Sequence, residues 1–348
     1  MHSNDYLLNI ENDIKELEKV LINEKNPQKY LITSEALAIL KSEYIYLKQG
    51  AVSKKFSNIQ MLKIYTSTIP EYEKYLPYVE LIYSVIDRTI DNIPLIDEKE
   101  NNYQKDEIIR YARQFYLDNT PSIIFNKIER ILKNTKNYID ISKKKNNSCV
   151  FGEFLGIPIL NKMYITVNEN NKADAVNTLI HELGHAIVFL NNEKKYYNGN
   201  YLFREISPFL MELINDDYYK SNIKYNRILT LYNSAYDVLS LFKLCKIYLL
   251  HNCPTNNKFE DILINNDVTL FGEYKSLNST DVDIEEKINI IISFFTSLEL
   301  YMIYKENSKE AFEIYNKIIK LDNSYDEIIK ISEYVDVGKN INAYIKKL

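Results

Sequence analysis

Four histidines occur in the 348 residues, and two stand four apart with a glutamate after the first: His181-Glu182-Leu183-Gly184-His185. On an α-helix, positions i and i+4 project from one face, so both imidazoles can reach a single ion. The residue after the first histidine lies about 100° round the helix. From there Glu182 reaches a metal-bound water without being a ligand itself. Zinc held this way lowers the pKa of its water to about 7, and the neighbouring carboxylate takes the proton as the nucleophile forms. The spacing points to a zinc peptidase with one Zn²⁺ per chain, His181 and His185 as ligands and Glu182 as the catalytic base.

A catalytic zinc takes three protein ligands and keeps one position open, so the pair needs a third. A histidine six residues beyond the second is excluded, because position 191 is Asn. His2 stands at the terminus, and His251 lies far downstream with no acidic companion nearby. A glutamate on a second helix is the common alternative. Glu205 stands 20 residues after His185, within Phe203-Arg204-Glu205-Ile206-Ser207-Pro208-Phe209-Leu210-Met211-Glu212. A loop over Lys194 to Asn200 lets that helix return antiparallel to the first and bring Glu205 within reach. Glu212 follows two turns later on the same face, where it can accept a hydrogen bond from a ligand imidazole and fix its orientation. Plainer readings stay open: a helix that carries the motif without metal, and Glu205 as an ordinary surface carboxylate.

The elements that must carry these residues are read from periodicity and breaks. Residues from about 5 to 145 read as successive amphipathic helices, with Leu7, Leu8, Ile10, Ile14, Leu17 and Leu21 at helical spacing, and likewise Leu37, Leu40, Tyr44 and Leu47. Breaks fall at Asn26-Pro27, Ile69-Pro70 and Asn119-Thr120-Pro121, and the Lys-rich stretch Ser142 to Asn147 reads as a surface loop. From Cys149 to Asn168 the pattern changes to one or two short strands. Asp174 is placed to cap the helix that follows, which runs through the motif and ends near Asn191-Asn192. Helices then resume, with loops near Cys253-Pro254 and Asn278 to Asp283. The expected fold is mainly α with a small β element before the zinc helix. It divides into a helical N-terminal lobe over 1–145 and a zinc-binding domain over 146–348, the two forming one unit around a cleft.

Composition bounds the partners. Net charge is −5 with both signs interspersed, so no basic stripe points to nucleic acid and no polybasic segment to an anionic membrane. The three cysteines (Cys149, Cys245, Cys253) show no C-x-x-C spacing and read as small buried residues. Residues 1–17 lack an apolar signal core, and apolar runs such as Ile288 to Phe295 are too short to span a bilayer. A cytoplasmic location is the expectation.

These residues resemble the M3 family of zinc metallopeptidases, the oligopeptidase F and thimet oligopeptidase group. The likeness rests on three features: the HELGH motif, Glu205 followed by Ser207, Pro208 and Glu212, and the strand-like Gly152-Glu153-Phe154 and Lys162 to Asn168. Ala311 to Val337 is also similar to the end of oligopeptidase F chains. The resemblance covers roughly 105–348 and implies a gluzincin-type fold, with His181, His185 and Glu205 on Zn²⁺. It also implies endopeptidase action on short unstructured peptides, with a strand edge pairing with the substrate backbone. Two departures stand out. Val188 occupies a position where the family often has histidine. On the late helix, Phe294 falls where an oxyanion-stabilising tyrosine is expected, with Ile290 and Ile292 ahead of it and Tyr301 and Tyr304 beyond. The rival reading is a catalytically degenerate M3-like protein that serves as a peptide-binding or interaction module, and a fortuitous motif in a helical protein remains a third.

Overall fold

The computed structural model describes residues 4–49, 57–89, 104–142, 152–157, 160–168, 172–191, 204–219, 223–251, 255–277, 284–320, 331 and 335–346. Helices start and stop at the proline breaks. α1 (Asn4–Asn23) gives way to α2 (Pro27–Gln49) across Asn26-Pro27. α3 (Asn58–Thr68) meets Pro70 and tightens into a 3-10 helix (Ile69–Tyr75) before α4 (Leu76–Asp87). α5 (Lys105–Asn119) and α6 (Ser122–Lys133) flank Thr120-Pro121, and the single turn α7 (Thr135–Tyr138) leads into the sheet. The chain is mostly helical with one small sheet, as its periodicity predicts.

Three strands make that sheet: β1 (Ile139–Ser142), β2 (Gly152–Ile157) and β3 (Lys162–Asn168), in the order β1-β3-β2. β1 runs parallel to β3, with Ile139 opposite Ile165 and Asp140 opposite Thr166. β2 runs antiparallel to β3, pairing Gly152 with Val167 and Phe154 with Ile165. The stretch up to 145 was expected to be helical throughout. It ends instead in β1, because Ile139 to Ser142 pair with β3, and all four are buried. Ser142 is therefore strand, not loop.

Alternation gives the sheet two different faces. Met163, Ile165 and Val167 with Phe154 join a main core that runs from Leu62 to Ile345. Tyr164, Leu155 and Ile157 point the other way and pack with Tyr6, Ile10, Ile14, Leu17 and Leu40 of the α1–α2 hairpin. Lys162 and Tyr164 both bond the buried Asp13 of α1 across this second interface. Leu8, grouped with the apolar face by spacing, is 53% exposed, on the side of α1 turned away from the sheet.

Beyond the sheet come α8 (Lys172–Asn191), α9 (Ile206–Tyr219), α10 (Ile223–His251), α11 (Asn256–Asn266), α12 (Val268–Ser276), α13 (Ile284–Glu306), α14 (Ser308–Ile318) and α15 (Ile341–Ile345). α8 begins at Lys172, two residues before Asp174, so position 174 lies within the helix and not at the cap. By length and composition α13 could cross a membrane, but 72% of its apolar window is buried inside the protein, which makes it a core helix. Cys245 is buried as expected; Cys149 and Cys253 lie outside the described residues, as do the loops over 194–200 and 278–283.

Candidate metal centre

The motif helix is framed by one strand and one helix, and two glycines set how close each comes. On the face of β2 turned to α8, Phe154 stacks on the His185 ring at 5.8 Å and 29°. Two residues earlier, a Cβ on Gly152 would fall 2.4 Å from Thr178 Cγ2 and 2.7 Å from Glu182 Oε1. Bare backbone at that position lets the strand run directly beside the Glu182 carboxylate. On the other flank, a Cβ on Gly184 would lie 2.7 Å from Pro208 Cα, so glycine inside the motif lets α9 seat against α8.

α9 is pinned at its start. The Ser297 hydroxyl of α13 lies 2.7 Å from the Ile206 carbonyl, and Ser207 shares a hydrogen bond of 2.7 Å with Tyr315 of α14. The Glu205 carbonyl accepts from the Phe209 N–H at 3.0 Å, which places Glu205 in the turn that opens α9, not within the helix as its sequence context predicts. The antiparallel return holds: Glu205 lies beside His185 and His181, while Glu212 and Asn215 lie beside Asn177.

His181, His185 and Glu205 are the only group of three or more such side chains, among the described residues, whose donor atoms converge, all within 4.8 Å of one another. His181 Nε2 is 3.3 Å from Glu205 Oε2, and His185 Nε2 is 3.5 Å from Glu205 Oε1. Two ligands about 2.05 Å from a tetrahedral ion stand about 3.3 Å apart, so these spacings fit a zinc with two nitrogen donors and one oxygen donor. Behind the ring, His181 Nδ1 donates to Glu212 Oε1 at 2.9 Å. A carboxylate can only accept, so this bond fixes the orientation that turns Nε2 toward Glu205.

The groups titrate far apart for neighbours. Burial pushes Glu182 up to about 8, with the charges of Glu205 and Glu153 adding to it and His181 opposing. Burial drives His185 down to about 3 against the pull of Glu205. His181 goes the other way: burial is outweighed by its bonds to Glu205 and Glu212, and it is held well above the usual histidine range. Burial would raise Glu205 and Glu212 alike. His185 and His181 hold Glu205 down, and Arg227 with His181 holds Glu212 down.

All five residues singled out by spacing thus meet in one place. Sequence reasoning missed Arg227, Asn177 and Asp216, which surround Glu212 with hydrogen bonds or charge. The late-helix residues stay away from the centre. Phe294 is fully buried between Phe209 and Tyr344, the Tyr301 hydroxyl is bound to Asp217, and that of Tyr304 contacts Asn119. Val188 is buried in the main core, and His251 is exposed at the end of α10.

No family model matches the chain, and no curated protein matches it in sequence. By shape it matches a provisionally designated oligoendopeptidase F from Bacillus anthracis str. Ames, with a TM-score of 0.52 at 14% identity over 93% of this chain and 63% of that one. It matches PZ peptidase A with a TM-score of 0.54 at 13% identity, over 92% and 64% of the two chains. A second provisional oligoendopeptidase F gives 0.53 at 15% identity, over 96% and 64%. At these identities the likeness shows the fold: this chain has the helical architecture of the oligoendopeptidase F and PZ peptidase structures. It spans less than two thirds of their length.

Proposed function

We propose that this protein is a zinc-dependent oligopeptidase that hydrolyses peptide bonds in short unstructured peptides. The observation that carries the reading is the convergence of His181, His185 and Glu205 at tetrahedral spacing beside a buried carboxyl at Glu182. Zinc held there would polarise the scissile carbonyl and lower the pKa of a bound water to about 7. Glu182 takes the proton from the attacking water and delivers it to the leaving amine. Glu212 keeps His181 oriented. Among the described residues β2 lies at one edge of the sheet and passes Glu182 at Gly152, and this is where an extended peptide would lie beside the base. We read 1–145 and 146–348 as two lobes of one unit, working in the cytoplasm.

A second reading, a peptide-binding module that has lost catalysis, draws support from α13, where Phe294 is buried and the Tyr301 and Tyr304 hydroxyls are engaged elsewhere. Loss of one oxyanion donor costs about 2.7–4 kcal/mol of barrier, which slows an enzyme without abolishing it. The retained base Glu182 favours the enzyme. The deciding test incubates zinc-loaded protein, and its Glu182→Gln variant, with a mixture of short peptides read by mass spectrometry. Cleavage by the wild type, reduced about 10²- to 10⁴-fold in the variant, is expected. Zinc bound by both with no cleavage by either would select the binding module.

A further inference from the structure

Arg227 of α10 is a residue no sequence pattern singles out, and its side chain is only 4% exposed. Its Nε donates to Glu212 Oε2 at 2.7 Å, and its Nη1 donates to Asp216 Oδ2 at 2.7 Å. Glu212 and Asp216 stand four apart on α9, so one guanidinium bridges two carboxylates on one face of the neighbouring helix. The other oxygen of Glu212 accepts from His181 Nδ1 at 2.9 Å and from Asn177 Nδ2 at 3.2 Å. A chain of charge-assisted bonds therefore runs from a buried arginine to the outer nitrogen of the histidine whose inner nitrogen faces Glu205. Tyr344 of α15 interacts electrostatically with Arg227, and its ring packs on Phe294 at 5.8 Å.

Three charged groups held out of water carry a large desolvation cost, which well-packed apolar residues would avoid. The arrangement makes sense where a fixed geometry is needed. A planar guanidinium fork dictates the carboxylate's rotamer, whereas an ammonium on a flexible stem does not. We propose that Arg227 is a positioning residue for the metal centre: it locks Glu212 onto His181 so that Nε2 is presented to the ion. This rests on the metallopeptidase reading of the same site.

The test measures zinc affinity of the full chain at fixed pH by competition with a chromophoric chelator, together with the visible spectrum of the Co²⁺-loaded protein. Arg227→Lys should loosen zinc about 10-fold and Arg227→Met up to about 100-fold, each shifting the Co²⁺ bands. In a Glu212→Gln background the Arg227 substitutions should add little, because both act through one bond to His181. Glu299→Gln serves as the structural control: it removes a buried carboxylate that accepts the Asn340 N–H at 2.8 Å, and zinc affinity should not move. If Arg227→Met does not fold, Arg227→Lys decides, since it retains the charge. A folded Arg227→Lys with wild-type zinc affinity and spectrum, or losses additive with Glu212→Gln, would overturn the inference alone. Absence of zinc binding by the wild type would overturn the metallopeptidase reading and the inference with it.

Discussion

Two acidic clusters, one built on the single buried carboxylate Asp13 and the other on Glu182, Glu205 and Glu212, lie on opposite faces of one three-stranded sheet, and they are used differently. On one face Asp13 accepts from the Tyr164 hydroxyl and the Lys162 ammonium, tying the α1–α2 hairpin down; Lys162 keeps 42% of its side chain in solvent. On the other, Glu182, Glu205 and Glu212 surround two imidazoles, and the donor atoms of three residues converge on one point. In the first cluster each charge meets a permanent partner and the geometry ends there. In the second, neighbouring groups are driven apart in pKa and their free electron pairs share a focus. Burial of charge is common to both; only the second cluster adds donor atoms that converge closely enough to hold one ion.

Substitutions can break this comparison. The largest effect is expected from Gly184→Ala, whose Cβ would meet Pro208 backbone atoms at 2.7 and 2.8 Å. α9 must then move, costing about 1–3 kcal/mol in denaturant unfolding and displacing Glu205, so zinc is lost as well. Asp13→Asn should destabilise by about 1–3 kcal/mol while leaving zinc affinity unchanged. A change in zinc affinity there would erase the distinction between the clusters. Gly152→Ala places its Cβ 2.7 Å from Glu182 Oε1, so kcat should fall about 10- to 100-fold with zinc still bound. Cys245 sharpens the contrast from a third side. Burial alone pushes its thiol up to about 12, with no partner and no focus. Its peptide should resist alkylation in the native protein by about 10³-fold relative to the unfolded chain, as followed by mass spectrometry.

The site was more legible in the sequence than its surroundings. Spacing on one helix sets His181, Glu182 and His185 by geometry alone, and a two-turn interval sets Glu212 relative to Glu205. The three expected breaks at proline all fall at or beside element ends. What escaped depends on contacts between elements distant in sequence. Arg227 reaches Glu212 from another helix, and no periodic rule connects them. β1 is a strand because β3 pairs with it, although its four residues follow directly on helix. Leu8 shares helical spacing with Ile10 and Ile14, but only the packing of α1 on the sheet decides which side is covered. α8 starts before Asp174, because a capping residue type does not by itself set where a helix begins.

The most direct test of the central claim is the zinc content of purified protein, measured by elemental analysis after equilibrium dialysis, for the wild type and for His185→Ala and Glu205→Ala. One tightly held zinc per wild-type chain, lost in His185→Ala and at least weakened in Glu205→Ala with the fold intact by circular dichroism, is the predicted result. A wild type without stoichiometric zinc, or variants that keep it undiminished, would contradict the assignment of these three residues as a metal centre.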